Sequence, residues 1–440
     1  MSEVNHRVLV IPNYQDWEYQ ALEQLCVHVG RGTAPCYVEQ SDVKAIGQRC
    51  VSKTGFDPSY ARPHSERAMA GTLQAIDGDV LLNSTGTGTI GRSVVFRESG
   101  SFIVDGHVTA LRPKEGKFSS VWLSAVLQSP WGQEHLERFC YAGSTNQVEL
   151  SASALRVTEV PTPPYNEQSK IAEILDTLDA AIRGTEAVVA KLKAMKQGLL
   201  HDLLTRGIDA NGDLRPPQPE APHLYKQTLL GWLPKEWDVA ELGAITRELT
   251  QGWSPDCPSE PALAHEWGVL KTTAVVWSGY QEHENKRLPE RMKPRPLLQA
   301  EVDDILITRA GPSSRVAVVA HVPATRDKLM ISDKLYRLRV TGTQNPAFIA
   351  AALSSVAVQR EISKTISGMA ESQTNISQAT LKPLPVPVPP KWEQDAIMVG
   401  IMSQSQKLKD EEALLYKLRL QKTGLMDDLL TGRTPVTALL

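Results

Sequence analysis

The sequence lacks long apolar runs and grouped cysteines. A membrane-spanning helix needs about 20 consecutive apolar residues, and no stretch approaches that length, so no membrane contact is expected. The apolar run at residues 8–11 is too short for a secretory signal, which predicts a cytoplasmic protein. The five cysteines form no CxxC pair and are odd in number, which argues against a zinc site or a disulfide framework and predicts buried, reduced thiols at Cys26, Cys36, Cys50, Cys140 and Cys257.

An excess of basic residues is also missing. The chain has 47 Lys and Arg against 50 Asp and Glu, a net charge of −3, whereas DNA-binding proteins usually carry a positive footprint. A DNA-binding function therefore requires one of two arrangements. Either the basic residues are concentrated on one face, or partner subunits supply much of the phosphate binding.

Catalytic and nucleotide-binding motifs are absent or incomplete. The sequence contains no phosphate-binding G-x-x-x-x-G-K-[ST] loop and no H-E-x-x-H motif. Residues 86–91 spell G-x-G-x-x-G, but residues 92–96 read as a strand, which favours a glycine-permitted loop between strands over a dinucleotide site. Residues 162–165 come near the Asx-Pro-Pro-aromatic loop of adenine methyltransferases, yet they begin with Thr. We therefore expect no catalytic residues, no metal and no cofactor in this chain.

The chain contains a tandem duplication, and its 440 residues predict more than one domain. The segment at residues 151–205 repeats at residues 377–431 without a gap. The remainder repeats more loosely. Matched positions are Trp17, Leu22, Gly32 and Pro35 with Trp237, Leu242, Gly252 and Pro255, residues 78–82 with 303–307, Leu111-Arg112 with Leu338-Arg339, and Thr145-Asn146 with Thr374-Asn375.

The duplication predicts an α+β fold in which variable and near-constant segments alternate. The predicted domains are residues 1–150, 151–210, 211–376 (a linker at 211–222 followed by the second variable domain) and 377–440. Alternating β-branched residues predict strands in the variable domains at residues 79–83, 93–97, 102–104, 304–308 and 316–321. Spaced apolar positions predict helices at residues 121–128, 133–139 and 346–367.

The near-constant segments read as long helices, the first beginning near Glu167, with a 3.5-residue apolar period. The predicted coiled-coil seam consists of Ile171, Leu175, Leu178, Ile182, Val189, Leu192, Leu199 and Leu203 in the first copy and Ile397, Ile401, Leu408, Leu415, Leu418, Leu425 and Leu429 in the second. Two copies of one seam in one chain favour an antiparallel pair. The alternatives are that each helix covers its own domain or that the seam dimerises the protein.

Two variable domains alternating with two near-identical helices resemble the specificity subunit of Type I restriction–modification systems (HsdS) over nearly the whole chain. The resemblance rests on Gly-Asp-Val-Leu at Gly78, Pro-x-Pro-Pro-x-x-Glu-Gln at Pro161 and Pro387, Asp-Leu-Leu-Thr at Asp202 and Asp428, and the join at residues 231–237. The Gly-Thr-x-Pro of residues 32–35 becomes Gly-Trp-Ser-Pro at residues 252–255, a departure from the pattern of the family.

The resemblance implies two target-recognition domains that each read one half of an asymmetric, split site on double-stranded DNA. It implies docking of two methyltransferase subunits and two restriction subunits, with S-adenosylmethionine, ATP and Mg²⁺ bound in those partners. Loop and basic residues are the candidate DNA contacts, although an ordinary exposed loop remains an alternative for residues 285–295: Arg31, Thr33, Thr85, Thr87, Arg92, Lys286, Arg287, Arg291, Lys293, Arg309 and Arg315.

Two other functions fit parts of the sequence. A methyltransferase or nuclease with an appended reader would need a cofactor loop or clustered carboxylates, and neither is present. A non-catalytic coiled-coil adaptor would bind protein without sequence-selective DNA binding. The sequence does not identify the DNA target, its spacer or the presence of a nuclease partner.

Lys196 and Lys422 occupy equivalent polar positions in the two copies of the seam, as do Thr185 and Glu411. We hypothesise that these residues fix the register of the helix pair at a cost in stability. Replacing Lys196 and Lys422 with Leu should therefore raise the melting temperature in a thermal unfolding experiment. A clear fall in the melting temperature would contradict the hypothesis.

Overall fold

A computed structural model describes residues 7–52, 55–143, 148–366 and 374–440. The predicted match at Thr145-Asn146 and the predicted helix end at Ser367 lie outside these residues. The chain forms two compact units. The first contains residues 1–189 and 411–440, and the second contains residues 190–410. No helix in the described ranges is long and apolar enough to cross a membrane.

The α-helices of the two units are Leu22–Leu25, Ser120–Gln128, Pro130–His135, Ala152–Arg156, Tyr165–Thr205, Pro346–Leu353, Val356–Ile366, Gln378–Leu381 and Lys391–Leu430. The strands of the first unit are Glu18–Ala21, Cys26–Arg31, Val43–Ile46, Val51–Ser52, Gly55–Phe56, Arg62–Pro63, Val80–Asn83, Ser93–Val95, Ser101–Val104, Val108–Pro113, Tyr141–Ala142, Glu149–Leu150 and Glu159–Thr162. Those of the second unit are Tyr225–Thr228, Gly231–Pro234, Asp238–Glu241, Thr246–Gln251, Gly268–Leu270, Val275–Val276, Gly279–Tyr280, Asn285–Arg287, Ile305–Thr308, Ala310–Gly311, Val319–His321, Leu329–Ile331, Leu335–Val340, Thr374–Asn375 and Pro385–Val388.

Each unit is built around a four-stranded antiparallel sheet with the same order. In the first unit the strands run in the order Cys26–Arg31, Val108–Pro113, Val80–Asn83 and Ser93–Val95. In the second they run Thr246–Gln251, Leu335–Val340, Ile305–Thr308 and Val319–His321. The α+β fold and the tandem duplication predicted from the sequence are therefore confirmed.

One inner strand of each sheet is buried on both faces: Val80–Asn83 in the first unit and Ile305–Thr308 in the second. In the first unit Val80 and Leu82 pack into one hydrophobic cluster, while Leu81 packs into another on the opposite face. Alternate residues of Ile305–Thr308 divide between two clusters in the same way. A strand covered on both sides reads as a continuous apolar run, which is why the sequence located both strands to within one residue.

A second, three-stranded sheet in each unit contains a parallel pair. Val43–Ile46 lies parallel to Ser101–Val104 and antiparallel to Arg62–Pro63. In the second unit Gly268–Leu270 lies parallel to Leu329–Ile331 and antiparallel to Asn285–Arg287. The duplication thus extends through the variable domains, where sequence identity is low.

The predicted helix at residues 346–367 is wrong as a single element, because it breaks after Leu353. The backbone N–H of Val358 hydrogen-bonds the Ser355 hydroxyl, which caps a new helix. The Gln359 amide donates to the carbonyl of Leu353, a helix-end oxygen that lacks an intrahelical partner, at 2.8 Å. The first unit repeats this break, since Ser129 caps the second helix of its pair.

Three smaller expectations also change. The helix predicted at residues 133–139 begins at Pro130 and ends in a π-helical turn at Leu136–Cys140, and the strand predicted at residues 316–321 begins at Val319. Cys36 is exposed and Cys257 is half-buried, so only the other three free thiols are buried as predicted.

The linker at residues 211–222 forms neither α-helix nor strand, but it is anchored. Arg215 is buried, and its guanidinium forms ion pairs with the buried Glu393 and with Glu236. Glu393 also accepts a hydrogen bond from the backbone N–H of Ile208 at 2.9 Å. Proline removes helix and sheet from this segment, while the Arg215–Glu393 pair fixes its path.

A buried glutamine ties the start of each long helix to its domain. The Gln168 side chain accepts a hydrogen bond from the backbone N–H of Ser119 at 2.8 Å and donates to the Pro163 carbonyl at 2.8 Å. Gln394 bonds the backbone N–H of Asn345 and the Pro389 carbonyl in the same way, at 2.9 and 2.8 Å. These bonds explain the Pro-Pro-x-x-Glu-Gln pattern: the prolines end the strand, and the glutamine connects the new helix to the cap of another.

The long helices run antiparallel within each unit, as predicted. In the first unit Lys422 binds Asp179 at 2.6 Å and Arg419 binds Glu186 at 2.7 Å. Residue numbers rise along one helix as they fall along the other, so the two helices are antiparallel. In the second unit Leu199, Leu203, Ile397 and Ile401 contribute to one hydrophobic cluster. All predicted seam residues are buried or half-buried.

An aspartate–arginine pair repeats in the two units. In each central sheet the aspartate directly precedes one inner strand, and the arginine lies near the end of the other. Asp79 has no exposed surface, and both of its carboxylate oxygens accept from the Arg112 guanidinium, at 2.7 and 2.8 Å. Asp304 and Arg339 form the equivalent pair. Hydrogen bonding to the carboxylate raises the pKa of Arg112 and of Arg339, so both guanidinium groups stay charged.

Asp79→Asn should lower the free energy of unfolding by about 3 kcal/mol, because it leaves the Arg112 charge without its partner. The effect lies at the low end for a broken buried pair, since 26% of the Arg112 side chain reaches water. Urea unfolding of the purified chain measures it. The exposed neighbour Asp77 provides the control, and Asp77→Asn should change stability by less than about 0.5 kcal/mol. Equal losses in both variants would show that the pair does not stabilise the sheet.

Candidate nucleic-acid interface

Several loops of the first unit meet at one end of its central sheet. The strand Cys26–Arg31 ends here, with Arg31 opposite Thr109. At the same end, Val108 begins its strand opposite Asn83, the last residue of another. The segments at residues 32–37, 84–92 and 105–107 therefore lie side by side, and we call this end the first loop edge.

The segment at residues 86–91 is a tight loop between strands, as its sequence predicted. Gly86, Gly88 and Gly91 have φ values of 95°, 78° and 82°, which favour glycine. A Cβ atom at Gly86 would collide with the Gln48 side chain, and one at Gly91 would collide with Tyr141. The loop continues into the strand Ser93–Val95, so it lacks the helix N-terminus that binds a pyrophosphate.

The five predicted contacts of the first unit are brought together at this edge. Thr33 and Thr87 are exposed on neighbouring loops. The Thr85 hydroxyl lies within the glycine loop, and the Arg92 guanidinium donates back to the Gly88 carbonyl at 2.6 Å. Arg31 is half-buried and already engaged, because its guanidinium binds the Glu149 carboxylate at 2.9 Å and the Leu150 carbonyl at 2.8 Å.

The second unit has an equivalent loop edge, and two of the predicted residues lie there. Arg309 directly follows the strand Ile305–Thr308, and its guanidinium donates to the Asp333 carbonyl at 3.2 Å. Arg315 lies on the following loop and donates to the Thr272 carbonyl at 3.4 Å. We call this end the second loop edge.

Four other predicted contacts lie elsewhere in the second unit. Lys286 and Arg287 belong to the strand Asn285–Arg287 of the three-stranded sheet, and both are exposed. Arg287 pairs with Gly268, at the end of Gly268–Leu270 that points away from the second loop edge. Arg291 and Lys293 follow as exposed residues. The structure therefore places these four residues on and after a strand of the three-stranded sheet, and not on the loop that carries Arg309 and Arg315.

Sequence reasoning missed one pair of equivalent positions. His107 and Lys334 are both exposed. His107 directly precedes the strand Val108–Pro113, and Lys334 directly precedes Leu335–Val340. The His107 ring nitrogen lies 3.0 Å from the Thr85 hydroxyl, and the Lys334 carbonyl accepts from the backbone N–H of Arg309 at 2.9 Å. The alignment of Leu111-Arg112 with Leu338-Arg339 could have located both residues.

Polar groups at the edges include donors without protein partners. The buried Nε atoms of Arg92 and Arg309 have no hydrogen-bond partner in the described parts of the chain, and such donors are usually satisfied by a ligand or by water. At the first loop edge Tyr37 donates to the buried Asp105 carboxylate at 3.1 Å, and burial raises the pKa of the Tyr37 phenol. The phenol thus keeps the proton that it donates to Asp105 near neutral pH.

Metal-binding chemistry has no counterpart in the described residues. Within those ranges no three His, Cys, Asp or Glu side chains come together in a group that could hold an ion. The exposed groups at the two edges include the hydroxyls of Thr33 and Thr87, the His107 ring and the Lys334 ammonium group. These groups contact phosphates and base edges in protein–DNA complexes.

Comparison with known proteins finds similar sequences of one kind. A sequence model described as the Type I restriction modification DNA specificity domain matches residues 71–194. The chain is 44% identical over 160 residues to the Type I restriction enzyme EcoEI specificity subunit of Escherichia coli, a match that covers 36% of this chain and 27% of that protein. It is 23% identical over 430 residues to the putative type I restriction enzyme MjaX specificity subunit of Methanocaldococcus jannaschii, covering 96% and 94% of the two chains.

A solved structure shares the fold along the whole chain. The Type I restriction–modification S subunit from M. genitalium matches with a TM-score of 0.59 at 13% identity, covering 96% of this chain and 98% of that one. The family domain and the full-length relative show that this chain is similar in sequence to specificity subunits of Type I restriction–modification systems, and the solved structure shows that it shares their fold.

Proposed function

We propose that this chain selects the DNA sequence on which a Type I restriction–modification complex acts. Each unit binds one half of a split, asymmetric site through its own loop edge. The observation that carries this proposal is the pairing of one scaffold with two different sets of edge residues. Arg31, Thr33 and His107 occupy the positions that Gln251, Trp253 and Lys334 occupy in the second unit.

Different edge residues imply different half-sites. Arginine and histidine side chains present donors to base edges and phosphates, whereas glutamine offers both a donor and an acceptor and pairs well with adenine. Backbone positions at the two edges nevertheless match: the N–H of Gly32 donates to the Val108 carbonyl at 3.0 Å, and that of Gly252 donates to the Leu335 carbonyl at 3.4 Å. A common frame with different side chains is suited to reading two unlike sequences.

In this proposal the chain itself performs no chemistry. Two methyltransferase subunits dock on it and carry S-adenosylmethionine, and two restriction subunits join through them and supply ATP- and Mg²⁺-dependent steps. The complex acts in the cytoplasm. The chain's net charge of −3 fits this division of labour, because partner subunits then provide much of the contact to phosphates.

A genome-wide map of methyladenine in the source cell, with and without this gene, tests the function. We expect one motif, two short halves around a fixed gap, to lose its methylation on deletion and to regain it on complementation. The modification partner must be expressed in both strains. If no split motif depends on the gene, the chain is instead a protein–protein adaptor.

Complementation with loop variants tests the first loop edge within the same assay. Thr87→Glu places a carboxylate on the exposed tip of the glycine loop, and repulsion of DNA phosphates should lower methylation of the motif about tenfold. The control is Ser99→Glu, which adds the same charge beyond the opposite end of the strand Ser93–Val95 and should leave methylation unchanged. Equal loss in both variants would argue that the edge does not face DNA.

A further inference from the structure

An arginine stacks on an aromatic ring beside the first strand of the central sheet in each unit. In the first unit the Arg62 guanidinium carbon lies 3.6 Å from the centre of the Tyr37 ring. In the second unit the Arg295 guanidinium carbon lies 4.1 Å from the centre of the Trp253 ring. Both aromatic residues belong to the loop that follows that first strand, and both arginines come from outside the central sheet.

The Arg62–Tyr37 stack lies at the first loop edge. Arg62 pairs with Ala45 in the three-stranded sheet, one residue before the strand Val43–Ile46 ends. The Tyr37 hydroxyl is held by Asp105, whose other carboxylate oxygen accepts from the backbone N–H of His107 at 3.0 Å. The ring is therefore fixed to the turn that carries His107, and 40% of Tyr37 remains exposed.

The Arg295–Trp253 stack lies at the second loop edge but is built from different positions, because Trp253 is equivalent to Thr33 and the register position of Arg62 is held by Lys286. The backbone N–H of Trp253 donates to the Ile331 carbonyl at 3.1 Å, as that of Thr33 donates to Val104 in the first unit. The backbone N–H of Arg295 contacts the Met330 sulfur at 3.2 Å. These bonds hold the stack beside the end of the strand Leu329–Ile331.

Stacking prepares an arginine for base recognition. A guanidinium over an aromatic face is held by attraction to the ring and loses less freedom when it binds. Both Arg62 and Arg295 are exposed, so the planar fork of N–H donors on each is open to a ligand. A fork of this kind matches the O6 and N7 acceptors of guanine in the major groove, the commonest specific contact to a base.

We infer that Arg62 and Arg295 each read a guanine, one in each half of the DNA site. The inference rests on the proposed function and names the residues that give it part of its specificity. It also predicts that both halves of the target contain at least one G·C pair. The sequence analysis included Arg295 in the basic stretch 285–295 but not Arg62, and it revealed neither stack because each ring and its arginine are distant along the chain.

The test replaces each arginine with lysine in the full chain and maps methyladenine in cells that also express the modification partner. Lysine keeps the charge but loses the planar fork. Arg62→Lys should reduce the preference for guanine about tenfold at one position of one half-site, and Arg295→Lys should do so in the other half. Arg138→Lys is the matched control, since Arg138 is an exposed arginine that binds Glu134 and lies 5.9 Å from the Phe139 ring.

The unchanged half-site in each variant reports that the protein is folded and assembled. If the wild-type chain directs methylation to a split motif and both variants keep the same motif, the inference is wrong while the proposed function stands. A uniform loss of methylation at all sites, with no change in base preference, would indicate that the arginines contact phosphates. That result would also overturn the inference. Absence of any split motif with the wild-type chain would remove the proposed function itself.

Discussion

The attachment of each long helix to its domain depends on one buried amide. Gln168 and Gln394 each connect the first turn of a long helix to the cap of a helix that packs on the central sheet. A buried amide that lost these bonds would be costly, so each glutamine fixes the first turn of its helix against the domain. The sheet, its loop edge and the helix direction are thus coupled through a few hydrogen bonds, and the same bonds occur in both units.

The sequence predicted most of the fold because the chain is duplicated. An ungapped repeat revealed both long helices, and burial on two faces made the central strands continuous apolar runs. It did not predict the break between Leu353 and Val356, since that break depends on the side chain of Gln359 bonding a helix-end carbonyl. Apolar spacing continues through such a break, so periodicity alone reads the two helices as one.

The candidate interface was predicted only where its residues are close in sequence. Thr85, Thr87 and Arg92 share one loop, and the glycine pattern marked it. The stacks of Arg62 on Tyr37 and of Arg295 on Trp253 bring together residues from different elements, and only the sheet registers place them at one edge. Composition marked the basic stretch at residues 285–295, but its first residues belong to a strand of the three-stranded sheet, and Arg295 at its end is the residue that stacks on Trp253.

In the glycine loop at residues 86–91, the positions that hold the backbone conformation differ from the position exposed at the tip. Gly86 and Gly91 have no room for a side chain, so the frame of the loop tolerates little change. Thr87, at the tip, is exposed, and substitutions at exposed positions usually alter stability very little. New side chains can therefore appear at the tip while the fold stays intact. Under the proposed function, the DNA sequence that is read could then change by single replacements without an unstable intermediate protein.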